Sequence, residues 1–368
     1  MRANQPIATR PRQAAGPVAV IDVGGTDTKT GLVHPGGLLT EVRSVPTPHT
    51  PDIVSGVLDV AERHVTRLRP DHPDLAGIGL VVPGIVDDDA QVAVLATNMG
   101  WRDVPFATML AERTGLPARL GHDVSAAGLA ETHSGAAAGA QDAAVIVIGT
   151  GIAAALFTGG RPVRSSGYAG EIGHAPVMPD GEPCPCGARG CLEAHASASA
   201  IARRYTARSG IQVAGAEAVL QAAERGDESA RAVWDEATTA LARAIVHLAS
   251  VLAPQVVVIG GGLSRAGAAL LEPVNRKVSA MLTVQRRPQV HLATLGSRAG
   301  LYGAGLLAGA APAGEQPADE RPVGEHPAGE QPAVEQPAGE QPAGEQPAAE
   351  RPTGDQPTGG QPAEGAGR

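Results

Sequence analysis

All three cysteines of the chain, Cys184, Cys186 and Cys191, fall within eight residues, and His174 stands ten residues before the first of them. The stretch reads Gly170-Glu171-Ile172-Gly173-His174, then Cys184-Pro185-Cys186-Gly187-Ala188-Arg189-Gly190-Cys191-Leu192-Glu193. Three thiolates and one imidazole complete a tetrahedral ligand set, the kind that closes a structural zinc site with no open position. Glycines between the thiols let a short loop turn tightly around one ion. The competing reading is three buried thiols beside a surface histidine. The tight clustering, with glycines between, favours the metal.

Further glycine-rich turns punctuate the chain. Val18-Ala19-Val20-Ile21-Asp22 reads as a buried strand running into Val23-Gly24-Gly25-Thr26-Asp27, with strand character again from Thr28 to Val33. Such a turn is a phosphate loop or a plain hairpin. In the first case, Gly24 and Gly25 let backbone amides reach phosphate oxygens and Thr26 offers a hydroxyl. Asp22 can then hold Mg2+ through water, since hard cations prefer oxygen ligands. Asp27 is unfavourable beside phosphates, and Lys29 on the same strand face can offset it.

A helical pattern runs from Pro51 to Arg69 and a strand from Gly77 to Val82, ending at Pro83-Gly84-Ile85-Val86-Asp87. Asn98 precedes Gly100-Trp101. A helix is expected over Val104–Thr114, then a short strand to Gly121-His122-Asp123 and a small-residue helix to Ser134. Ala143–Ile148 reads as a strand entering Gly149-Thr150-Gly151-Ile152-Ala153-Ala154-Ala155. Three more helical stretches follow: Ser199–Arg208, Ala214–Arg225 and Glu228–Leu252. Val256–Ile259 is a buried strand closed by Gly260-Gly261-Gly262. A strand over Val290–Leu295 and a helix over Ala299–Ala308 finish the body.

Gly-x-x-Gly-Glu-Ile-Gly-His followed by Cys-x-Cys-Gly-x-x-Gly-Cys-x-Glu resembles the signature of the ROK family of repressors, open reading frames and sugar kinases. The resemblance covers about residues 17 to 310. It implies an α/β, two-lobed, actin-like ATPase (ribonuclease-H-like) fold with an interlobe cleft and a structural zinc loop. It also implies an ATP-dependent, glucokinase-like sugar kinase using Mg2+ with ATP. Asp22, Gly24, Gly25 and Thr26 match its first phosphate loop, and Gly149, Thr150 and Gly151 its second. Gly260, Gly261 and Gly262 fall on the nucleotide side. Asp123 becomes the base that takes the proton of the attacking hydroxyl; its position alone also allows a helix N-cap. Gly84, Asn98, His122, Glu171, His174 and Glu193 would line the sugar pocket, with His174 also a zinc ligand beside Cys184, Cys186 and Cys191. Zinc loss should therefore disturb the sugar pocket more than the nucleotide cleft. Two departures stand out. His122 replaces the family's asparagine, and Ala153 to Ala155 replace its later glycines. A homodimer or higher homo-oligomer follows from the resemblance alone.

Residues 311–368 differ in kind from the rest. Proline recurs every fifth residue from Pro317 to Pro362, and the only branched aliphatics are Val323 and Val334. Such a segment cannot bury enough apolar surface to offset its ordering entropy. The expected organisation is an N-terminal arm over 1–16, lobes over 17–122 and 123–310 with the last helix able to return to the first lobe, and a disordered tail over 311–368. The tail carries eleven acidic side chains against three arginines, so nearly all of the net −9 resides there. The nearly neutral body has no basic excess for nucleic acid, and no apolar run is long enough to span a membrane. Residues 1–16 lack the apolar core of a secretory signal. Reduced, metal-type cysteine usage fits a cytoplasmic enzyme.

Other readings remain open here. A repressor would need a helix-turn-helix, and the 21 residues before Asp22, broken by Pro6, Pro11 and Pro17, read as too short for one. A non-catalytic sugar sensor is compatible with His122. A cyclitol or N-acetylhexosamine acceptor, or polyphosphate as donor, would leave the mechanism intact.

Overall fold

The computed structural model describes residues 16–49 and 52–309. The arm over 1–15 and the pentad tail lie outside the described residues, as does Pro51. The first lobe runs through β1 (Val18–Val23), β2 (Asp27–Val33), β3 (Leu39–Pro46), α1 (Ile53–Leu68), β4 (Gly77–Val82), β5 (Ile85–Asp87), β6 (Val92–Ala96), β7 (Trp101–Val104), α2 (Phe106–Thr114) and β8 (Ala118–His122). After α3 (Asp123–Ser134) come β9 (Ala143–Ile148), β10 (Ile152–Thr158), β11 (Arg161–Pro162), α4 (Leu192–Ala196), α5 (Ala198–Ser209), α6 (Ala216–Glu224) and α7 (Glu228–Val251). The chain then passes through β12 (Val256–Gly260), α8 (Ala268–Met281), β13 (Gln289–Leu292) and α9 (Ala299–Leu307).

The two lobes repeat one plan. The first sheet has the order β3-β2-β1-β4-β8, the second β11-β10-β9-β12-β13. In each, two antiparallel pairings are followed by two parallel ones. The parallel registers align strand ends: Asp22 pairs with Val81, and Val82 with His122. The carboxyl ends of β1, β4 and β8 therefore share one edge, where open α/β sheets place ligands. β5, β6 and β7 form a separate small sheet.

Each lobe has its own core. Ile21, Leu58, Leu80, Trp101 and Phe106 belong to one cluster, and Ile146, Ile148, Leu241 and Ile245 to another. α1 buries Ile53, Val57, Leu58, Ala61, Val65 and Leu68, the apolar stripe of an amphipathic helix. Asp52 caps it by accepting the Ser55 amide at 2.9 Å. Several element ends shift by a few residues from the sequence reading, and two of the shifts have a clear physical cause. Val104 ends β7 rather than starting α2, because Pro105 follows and disfavours helical backbone before it. β13 stops at Leu292 instead of Leu295, because the Thr294 and Leu295 amides donate to the Glu131 carboxylate and not to a ladder.

α3 packs against β9 and β10 of the second sheet and against α9, while α9 packs on β1, β2, β4 and β8. The α3–α9 contact is close because its residues are small. A Cβ added at Gly303 would run into the Ala126 carbonyl, backbone that cannot yield. Gly303→Ala is expected to cost about 1–3 kcal/mol, the usual penalty of overpacking. Chemical denaturation measures it, and an unchanged midpoint would contradict this packing.

Candidate active site and metal centre

A cleft of about 430 Å3 is lined by Asp22, Gly24, Asp27, Lys29, Asp123 and Glu131, and by Gly260, Gly261, Gly262 and Arg265 from the second lobe. Asp22 sits at the end of β1, and the start of α9 presses on it: a Cβ at Gly300 would crowd its carboxylate. Burial, and then the Asp123 charge, push Asp22 up to about 6, with Lys29 pulling the other way. Lys29 lies 3.9 Å from Asp22 and donates to the Ser297 carbonyl at 3.1 Å. This corrects its expected partnership: Lys29 serves Asp22, while Asp27 is exposed to solvent. A buried carboxylate held at the edge of ionisation fits a hard divalent cation, which supplies the positive charge that burial denies it.

Asp123 is the first residue of α3, and His122 occupies the N-cap position. No side-chain cap bond forms. Asp123 is therefore not the N-cap residue, although it satisfies one amide of the first turn. Its Oδ1 accepts the Val124 amide at 2.7 Å and lies 3.0 Å from His122 Nε2. His122 Nδ1 is 3.3 Å from the Ser125 hydroxyl. Burial works against the charged imidazole, but Asp123, then Glu171 and Asp88, outweigh it and hold His122 above its ordinary value. The folded state therefore favours the imidazolium. That contribution to stability is complete below pH 6.5 and is lost as pH rises through the raised value. The melting-temperature advantage of wild type over His122→Asn should be largest below pH 6.5 and shrink above it. A difference that stayed flat with pH would refute the pairing.

Gly149, Thr150 and Gly151 join β9 to β10, and the Gly149 amide donates to the Gly151 carbonyl at 2.9 Å. Ala154 and Ala155 are buried on β10. A Cβ added to Gly128 of α3 would strike the Ala155 methyl. Ala155 thus fills the β10–α3 contact, while Ala154 packs into the core on the other face of the sheet. Glu193 of α4 reaches back, its Oε2 accepting the Ile152 amide at 2.8 Å. The Gly170–Gly173 segment lies on the same strand: the Gly170 carbonyl accepts the Ala154 amide at 2.8 Å. Gly170, at φ +97°, has no room for a Cβ against the Ala154 carbonyl, nor has Gly173 against that of Ile152. Both glycines of the Gly-Glu-Ile-Gly-His motif are required by this close approach.

At the metal centre, His174, Cys184, Cys186 and Cys191 each bring one ligand atom within 4.8 Å of the others. His174 Nδ1 is 3.8 Å from Cys184 Sγ, and Cys186 Sγ is 3.7 Å from Cys191 Sγ. The loop turns at Gly187 (φ 94°) and Gly190 (φ 72°). Burial, followed by the other thiols, pushes Cys191 up to about 12, while a backbone hydrogen bond from Ala188 draws Cys186 down to about 7. Neighbouring thiols pulled in opposite directions form a donor set that a divalent cation would resolve, since it binds them as thiolates. The four residues fit zinc.

Not every expected residue meets the cleft. Gly25 and Thr26 lie exposed at the β1–β2 turn. Asn98 is exposed between β6 and β7 and is not among the residues lining the cleft. Gly84, at φ +97°, is needed against the Leu95 carbonyl of its own small sheet, a packing reason distinct from substrate approach. The sequence reading passed over Glu131. It is buried, yet it accepts the amides of Ala136, Thr294 and Leu295 at 2.8–3.0 Å and ties α3 to the loop before α9. A lone acid inside an Ala-rich helix was its only signal.

The ROK family profile matches residues 18–311. The chain belongs to the ROK family. A glucokinase of Halalkalibacterium halodurans is 35% identical over 307 residues, 77% of this chain and 92% of that one. A ROK family glucokinase from Streptomyces griseus, solved in complex with glucose and AMPPNP, is 31% identical with a TM-score of 0.68, covering 80% of this chain and 99% of that one. A ROK hexokinase from Thermus thermophilus is 32% identical with a TM-score of 0.69, covering 79% and 97%. Among the described residues, no helix of this ROK protein is long and apolar enough to cross a membrane.

Proposed function

We propose that this ROK protein is an ATP-dependent hexose kinase, transferring the γ-phosphoryl of MgATP to a sugar hydroxyl. The observation that carries the reading is the position of Asp123. It opens α3 on a cleft shared with Asp22 and the Gly260–Gly262 turn, and it is paired with His122. Its kinship with a glucokinase that crystallised with glucose and AMPPNP supports the same substrates here.

Phosphoryl transfer asks mainly for positioning and charge stabilisation. Asp123 orients the attacking hydroxyl and accepts its proton. Asp22, through water, and the backbone of Gly24, Gly25 and Thr26 hold the phosphate side from the first lobe. Gly149 to Gly151 and Gly260 to Gly262 do so from the second. Mg2+, held through water by Asp22, would supply positive charge against the charge that develops on the phosphate oxygens. Glu171, Glu193 and the free nitrogen of His174 contact the sugar's remaining hydroxyls. His174 would hold zinc together with Cys184, Cys186 and Cys191, leaving one ring nitrogen for the sugar. With four protein ligands such a zinc would be structural. The reading includes an N-terminal arm over 1–16, lobes over 17–122 and 123–310 and a tail over 311–368, as the sequence suggests, and a cytoplasmic homo-oligomer completes it.

ADP release, measured with glucose, mannose, fructose, N-acetylhexosamines and cyclitols in turn, tests it. Hexose-dependent release is expected. Sugar binding with no release would make the protein a sensor instead.

A further inference from the structure

The segment from Glu193 to Ser199 touches the second phosphate loop at two carbonyls and its exit, Ile152, at one amide. Glu193 accepts the Ile152 amide at 2.8 Å. The Ala198 amide donates to the Gly149 carbonyl at 2.9 Å, and the Ser199 hydroxyl to the Thr150 carbonyl at 2.8 Å. The third carbonyl of the loop, that of Gly151, is taken by the Gly149 amide. All three loop carbonyls are thereby engaged, while the amides of Thr150 and Gly151 find no partner among the described residues. A peptide group has one donor side and one acceptor side, so fixing the carbonyls fixes where the amides point. A loop left free would present carbonyl oxygens to an anion part of the time, and binding would have to stop that motion at an entropic cost.

We infer that the α4–α5 junction is a positioning clasp for the second phosphate loop, with Ala198 and Ser199 holding its carbonyls away so that the amides of Thr150 and Gly151 stay ready for the phosphates of the nucleotide. The inference rests on the kinase reading above. Neither residue touches substrate; both act through the loop. Ser199 is itself braced, its Oγ lying 3.2 Å from that of Ser197, which caps α5 through the Ala200 amide.

The geometry allows a selective test. Ala198 is the first helical residue of α5, where proline is well tolerated, and Ser197 before it has φ −68° and ψ 153°, the conformation a following proline favours. Ala198→Pro keeps the helix start but sets its ring against the Gly149 carbonyl, so it deletes one donor and also pushes the loop, whereas Ser199→Ala deletes the other donor and adds nothing. Calorimetric titration of the zinc-loaded protein with AMPPNP and, separately, with glucose reads the outcome. The double variant should bind AMPPNP about tenfold or more weakly, with glucose affinity within error and a lowered melting temperature, while Ser199→Ala alone should keep the wild-type melting temperature. Ser199→Thr, which keeps the hydroxyl, should bind AMPPNP like wild type. If Ala198→Pro fails to fold, Ser199→Ala alone decides, with roughly a threefold loss expected. Unchanged AMPPNP affinity, or an equal loss for glucose, overturns the clasp while leaving the kinase reading in place. Wild type that bound glucose but no AMPPNP would overturn the kinase reading itself, and the clasp with it.

Discussion

Replacing Asp123 by asparagine is expected to lower kcat by about three orders of magnitude, the scale of a positioned general base, while AMPPNP still binds. The substitution is nearly isosteric. An asparagine oxygen can still accept the Val124 amide and face His122, so the head of α3 should keep its geometry. Because Asp123 makes no capping bond across the first turn, lost helix stability cannot account for a drop of this size. Steady-state kinetics with hexose in excess, beside an AMPPNP titration, separate chemistry from binding. Near-normal turnover in a folded variant would remove Asp123 from the mechanism.

The second large effect belongs to the metal centre. Cys186→Ser should yield metal-poor protein with hexose KM raised tenfold or more, or with no measurable turnover. Thiolate ligation makes such a site strong, and its binding free energy organises the loop that carries it. The sequence pointed to greater damage in the sugar pocket than in the nucleotide cleft, because His174 and Glu193 border the ligands. The structure shows a route by which the nucleotide side is reached. Cys191 is the residue before α4, and Glu193 holds the Ile152 amide at the exit of the second phosphate loop. AMPPNP affinity should therefore fall as well, by a smaller factor than hexose affinity. Metal analysis together with the two titrations reads this. A zinc-free variant with normal hexose affinity would break the link between metal and pocket, and wild type without zinc would remove the metal centre.

The duplicated sheet plan was legible because its signals are local. Buried strands such as Val18–Val23 and Val256–Gly260 announce themselves by runs rich in β-branched residues that end in glycine turns. The candidate metal ligands, which the structure brings together, were equally plain, since one short loop carries three of them. Residues whose roles depend on distant partners were not legible. Glu131 acts on Thr294 and Leu295, more than 160 residues away in the chain. Lys29 was assigned to Asp27 from strand periodicity, yet the β1–β2 register sets it directly opposite Asp22. His122 could be seen as a departure from the family pattern, but only the structure shows its ring turned onto Asp123. Glycine roles were partly misread for the same reason. Gly170, Gly173 and Gly84 answer to carbonyls of neighbouring strands, contacts that no local pattern reveals.

The most direct measurement is phosphorus NMR of the purified protein with glucose and MgATP, wild type beside Asp123→Asn. Wild type should produce a new sugar phosphomonoester resonance in step with ADP, one for one, and the variant neither on the same timescale. ADP accumulating with inorganic phosphate and no sugar phosphate, or nucleotide left intact while glucose binds, would contradict the account.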